Sequence, residues 1–62
     1  MTRRHSQALA AALKSTKPQP ESPDAVMYQW RETVRSVAAV CREFVRGFDP
    51  GQFQRDCDYY AD

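Results

Sequence analysis

Met27, Trp30, Val34, Val37, Cys41, Phe44 and Phe48 follow one another at alternating intervals of three and four residues. That spacing returns side chains to one stripe of an α-helix and is the repeat of a coiled-coil seam. Elsewhere the chain has few apolar residues to build with. Whatever fold it adopts must cover this stripe, with its own remaining segments or with a second molecule. The chain has 62 residues, enough for one small domain. Chains of this length bury a modest share of their surface, and many rely on a disulfide, a metal or a second copy for stability.

Proline and glycine punctuate the chain around the stripe. Pro18, Pro20 and Pro23 exclude a continuous helix and make residues 17–22 a semi-rigid linker. Before it, residues 1–16 read as a weak N-terminal helix. Ser6 or Thr2 would be its N-cap, and Ala8, Leu9, Ala12 and Leu13 its narrow apolar face. Its basic start, Arg3-Arg4-His5, sits at the end where the helix dipole disfavours cations, so fraying is expected there. After the linker, residues 23–62 read as a helical hairpin. The central helix is predicted from Pro23 to Arg46, with Ser22 as N-cap, Pro23 at N1 and Gly47 as its stop. Asp49, Pro50 and Gln52 then form a capping box for a short helix running to about Tyr59. Phe48 and Phe53 stand at the positions of a hydrophobic staple. Phe53, Cys57 and Tyr60 form the predicted inner face.

Folding the short helix back about residues 47–49 places Cys41 and Cys57 at equal distances from the turn. Packed helix axes are about 8–10 Å apart, while a disulfide needs Cα atoms within about 7 Å. Two buried, reduced thiols are therefore expected. One His and two Cys cannot supply a structural zinc site unless acidic residues or a second chain contribute.

The polar pattern is less decisive. Arg31, Arg35, Arg42 and Arg46 fall within about a 60° arc of the central helix. They read either as a cationic rail for phosphates or an acidic protein surface, or as a solvated face paired locally, Glu32 with Arg35 and Glu43 with Arg46. A formal charge of +1 argues against bulk electrostatic capture of nucleic acid. Helix, Gly-containing turn, helix is also the outline of a helix-turn-helix, with Gln52, Gln54 and Arg55 available to read bases. Asp56 and Asp58 would repel phosphate there. The acidic and aromatic tail, Asp56 to Asp62, reads as a recognition patch or as a helix end with wet carboxylates. No nucleophile has a base at readable spacing and there is no phosphate loop, so no catalytic, cofactor-binding or metal-binding residue is assigned.

Residues 48–59 (FDPGQFQRDCDY) resemble the tail of many short bacteriophage and prophage proteins. That tail has the form F-(D/N)-x-x-x-F-x-x-x-C-x-Y and follows a helix bearing a tryptophan. The phrase falls on Phe48, Asp49, Phe53, Cys57 and Tyr59, and the tryptophan on Trp30. A glycine usually follows the cysteine, whereas this chain has Asp58. The resemblance implies a phage or mobile-element accessory product, a class that often acts by binding a host protein.

The expected architecture is all-α: a long central helix, a short C-terminal helix folded back on it, and a weak N-terminal helix. The expected function is non-catalytic binding of another protein, a host factor or a second copy of the chain. Met27, Trp30 and Val34 would form the contact seam, with the four arginines as an electrostatic rim. The alternative is nucleic-acid binding by the arginine rail. The short Ala-rich run Leu9–Leu13 is unlike a secretory signal, and the expected location is the cytoplasm, that of the host cell if the protein is phage-encoded.

Overall fold

The computed structural model describes residues 1–60, and these form three helices and no strand. They are α1 (Arg3–Ser15), α2 (Asp24–Phe44) and α3 (Pro50–Asp56). Asp62, counted above with the acidic tail, lies outside the described residues. The molecule is a rod of 36 × 15 × 15 Å, and α2 sets its length, since 21 residues rise about 31 Å. α1 runs antiparallel to α2: Met1 meets Cys41 at one end and Leu13 meets Trp30 at the other. α3 folds back on α2 and lies parallel to α1, its tail reaching Lys17 through Asp58.

Thr2, not Ser6, caps α1. The Thr2 side chain accepts from His5 N–H, and the His5 ring accepts from Thr2 N–H, a reciprocal capping box. The buried face of α1 also differs from the expected one. Ser6 and Ala10 are buried and Leu13 packs against the core, while Ala8, Leu9 and Ala12 are exposed. Burying Ser6 is tolerable because its hydroxyl donates to Arg3 C=O at 2.8 Å.

α2 begins one residue later than expected. Pro23 is itself the N-cap, with extended backbone, and its carbonyl accepts from Val26 and Met27. Ser22 instead closes a turn by donating to Gln19 C=O. The helix also ends two residues early. Val45 leaves it with extended backbone yet keeps its side chain in the core. Phe48 N–H then closes a turn on Val45 C=O, with Gly47 at φ 70° in its third position, where a side chain would be strained.

Asp49 caps α3 by accepting from Gly51 N–H and Gln52 N–H. The second half of the predicted capping box does not form, because the Gln52 side chain donates to Asp56 instead. The Phe48–Phe53 staple is present, with ring centroids 5.5 Å apart. α3 ends at Asp56, three residues before the predicted Tyr59. Asp58 N–H bonds Arg55 C=O and Tyr59 N–H bonds Gln54 C=O, the paired bonds of a Schellman ending. Asp58 takes the left-handed position at φ 65°. This reversal exchanges the two tyrosines: Tyr59 turns inward and Tyr60 is exposed, against the predicted inner face.

The core consists of Ala10, Trp30, Val34, Ala38, Cys41, Val45, Phe53 and Cys57. On α2 and its C-cap the row is 30, 34, 38, 41 and 45, not the seven-residue stripe. A straight helix drifts about 20° per heptad relative to a 3.5-residue repeat, hence about 60° over the three heptads from Met27 to Phe48. A short, unsupercoiled bundle cannot keep the whole stripe on one side. Trp30, Val34 and Cys41 are buried, Met27, Val37 and Phe48 are partly buried, and Phe44 is 60 % exposed.

Candidate functional site

Two of the three residues assigned to a contact seam are closed inside the chain. Val34 is fully buried and Trp30 is 6 % exposed. The indole N–H of Trp30 donates to Leu13 C=O at 2.9 Å, its ring stacks on Tyr59 at 6.4 Å, and the Lys17 ammonium lies 5.6 Å from the ring centroid. Lys17 also donates to Asp58 C=O at 2.6 Å. Trp30 thus ties α1, the linker and the C-terminal turn to α2, and its surface is spent on that task. Met27, partly buried, borders a hollow with Lys17, Pro18, Pro20 and Asp58. The expectation that a Trp30-centred patch faces a partner is corrected: the C-terminal end of α1, through Leu13, covers the ring.

The arginine rail divides in two. Arg31 rests its guanidinium 5.7 Å from the Tyr59 ring centroid. Arg35 pairs with Glu32 at 2.6 Å, an exposed contact of small energetic weight. Arg42 and Arg46 are exposed and form no ion pair among the described residues; the anticipated Glu43–Arg46 pair is not made. Only Arg31 comes near Trp30, through the Tyr59 ring stacked on it, while Arg35, Arg42 and Arg46 are exposed away from the core, so the four do not form one rim.

The contact seam assigned from the sequence leaves out the opposite flank of α2, although Val26, Thr33 and Val40 widen the apolar stripe there. Val26, Val40 and Phe44 are 48, 47 and 60 % exposed, and Thr33 is exposed between them. At 100° per residue, Val26, Thr33, Val37, Val40 and Phe44 fall within about 60° of one another. α1 borders this stripe on its Trp30 and Cys41 side; Gln29, Ser36 and Glu43 border the other. The signal was present in the sequence as a second row of apolar residues one position from the first. Only the packing of α1 and α3 decides which row is buried.

Other chemistry is committed to structure. Cys41 and Cys57 are fully buried and unbridged. Burial raises the Cys41 thiol above its ordinary value of 9.0. It lifts Cys57 from 9.0 to about 11, with the charges of Asp56 and Cys41 adding to the effect. Such thiols stay protonated at neutral pH and are weak nucleophiles. An open groove of about 300 Å³ lies between the first turn of α1 and α3. Within its lining Asp49 serves the α3 cap, Gln52 bonds Asp56 and Ser6 bonds Arg3 C=O. Among the described residues no group of three His, Cys, Asp or Glu converges as a metal requires, and no helix is long and apolar enough to cross a membrane. No family model, curated protein or solved structure matches the chain.

Proposed function

We propose that this chain is a small non-catalytic module that binds another protein through the outer flank of α2. The observation that carries the reading is the exposed row Val26–Thr33–Val40–Phe44, apolar but for Thr33, on a domain whose own core is complete without it. Apolar side chains in line on a rigid helix are anchors for a partner helix or groove. A phage or mobile-element accessory role, in the cytoplasm of a host cell, fits the tail phrase described above. The buried thiols, with raised pKa values, and His5, occupied in the α1 cap, support a non-catalytic role.

The test compares wild type with Val40→Glu and Phe44→Glu, in solution alone and as tagged bait in host extract. Both positions are exposed, so the variants should keep native helicity. The reading expects self-association, or stoichiometric capture of one protein, that both variants abolish and Arg42→Glu preserves. A wild-type chain that neither self-associates nor holds any protein released by these variants refutes it.

The exposed, unpaired Arg42 and Arg46 favour one second reading, nucleic-acid binding by the C-terminal half of the rail. It expects affinity for labelled duplex or single strand that falls steeply with salt and is lost in Arg42→Glu/Arg46→Glu. Absence of binding at low salt removes it.

A further inference from the structure

We propose that the partner on the outer flank of α2 is a second copy of this chain, packed as an antiparallel α2–α2 pair. The inference rests on the protein-binding reading above and names its occupant.

Three observations select a second copy. First, the exposed Val26, Thr33, Val40 and Phe44 and the partly buried Val37, with the enclosed Trp30 completing the register, are spaced four, three, four, three, four. This is a heptad seam, and its spacing is the same read in either direction. A two-fold axis through the level of Arg35 therefore sets Val26 against Phe44 and Thr33 against Val37, while Val40 lies over the level of Trp30, which stays enclosed in its own chain. A closed two-fold interface demands this self-complementarity, since each residue must suit the one that the symmetry brings opposite.

Second, the rim is compatible with itself. Gln29, Ser36 and Glu43 line the flank not bordered by α1. The same axis brings Gln29 of one copy near Glu43 of the other, an amide donor facing a carboxylate, and Ser36 near its own equivalent. Glu32 and Glu43 do not come into register with each other, and the arginines lie on the far side of the helix. No like charges are forced together, which is the usual obstacle to a homodimer seam.

Third, the area agrees with a weak, reversible pair. The exposed parts of Val26, Thr33, Val37, Val40 and Phe44 amount to about 300 Å² of apolar surface per copy. With a polar rim of similar extent, the pair buries roughly 1,000–1,200 Å² in total, the lower end for specific association.

The experiment is sedimentation equilibrium over a concentration series from low micromolar to millimolar. The weight-average mass should rise from 7.1 kDa towards twice that value. Val40→Glu and Phe44→Glu should each weaken association at least 30-fold with unchanged circular dichroism, and Arg42→Glu should leave it intact. Orientation is read by mixing Val26→Cys with Phe44→Cys under mild oxidation. Antiparallel pairing cross-links position 26 of one copy to position 44 of the other, whereas parallel pairing links each variant to itself. The two positions are 18 residues, about 27 Å, apart along the helix, so the outcomes do not overlap. A mass that stays at 7.1 kDa overturns the proposal, as do parallel cross-links or association indifferent to Val40→Glu. If the chain stays monomeric yet captures a different protein that Val40→Glu releases, self-pairing falls and the broader reading stands.

Discussion

Replacing Trp30 tests the packing of the whole chain, because one side chain joins α2 to three other segments. Trp30→Ala removes the largest buried side chain, and Trp→Ala substitutions in cores cost about 3–5 kcal/mol. Stability of about 0.05–0.15 kcal/mol per residue gives a 62-residue domain roughly 3–9 kcal/mol in all. The variant should therefore be largely or wholly unfolded at 25 °C. Trp30→Phe is the finer probe. It deletes the indole donor to Leu13 C=O, but that carbonyl also accepts from Thr16 N–H at 3.1 Å and Thr16 Oγ1 at 3.0 Å. No acceptor is orphaned, so the cost is the net worth of one hydrogen bond plus a smaller ring, about 1–2 kcal/mol. For a domain of this size that lowers Tm by roughly 4–16 °C. Far-UV circular dichroism during thermal and urea unfolding of dilute protein measures both variants. A loss under about 1 kcal/mol for Trp30→Ala would refute the reasoning, since it would mean that α1 and Tyr59 do not enclose the ring.

Other expectations follow from single residues. Asp58 occupies a left-handed position at φ 65°, so Asp58→Gly should raise stability by about 0.5–1 kcal/mol, whereas Asp58→Ala should lower it by a similar amount. The half-exposed ion pair with Lys17 at 3.5 Å is too weak to reverse that order in a urea titration. Asp49→Ala removes the acceptor for two backbone donors at the start of α3 and should cost about 0.5–2 kcal/mol, seen as a lower urea midpoint. Cys57 binds its proton more tightly folded than unfolded, its pKa raised from 9.0 to about 11. Stability from that thiol is complete below pH 9 and falls as pH rises towards 11, by up to about 1.4 kcal/mol per pH unit. Thermal melts from pH 8 to 11 should show this decline, and Cys57→Ala should flatten it.

The elements were legible where local chemistry decides them. Asp49, Pro50 and the Phe48–Phe53 staple mark the start of α3 from side chains within five residues of each other, and the structure keeps all three. The prolines between 18 and 23 keep α1 and α2 apart for the same local reason. What was not legible depended on long-range packing. Leu9 looked like an inner residue of α1 by hydropathy, but the face that α1 buries is set by its fit to α3, where Ser6 and Ala10 are small enough to sit close. The end of α3 was misplaced because Asp58 adopts a conformation more usual for glycine, and the tail phrase hinted at it by placing glycine there. The candidate site suffered most. Trp30 and Phe44 belong to one periodic stripe, yet one is buried and the other exposed, and sequence period alone does not fix which third of a helix the neighbours will cover.

The lengths of the helices explain why α2 is left with an open flank. α3 has 7 residues and spans about 10 Å, while α2 spans about 31 Å. α1 and α3 lie side by side on one face, so the other side of α2 has no cover within the described residues. The buried core is small and contains two alanines and two cysteines, which contribute little burial per residue. A domain with so small a core gains proportionally more from any added apolar contact than a larger one does. Association through Val40 and Phe44 would therefore be linked to folding: the paired state binds only the folded chain and raises its stability as concentration exceeds Kd. The wild-type Tm should then climb with protein concentration, and Val40→Glu should have a concentration-independent Tm equal to that of dilute wild type. A wild-type Tm that is flat across the same range would separate the flank from the fold, and would leave the outer residues of α2 without a structural role in this chain.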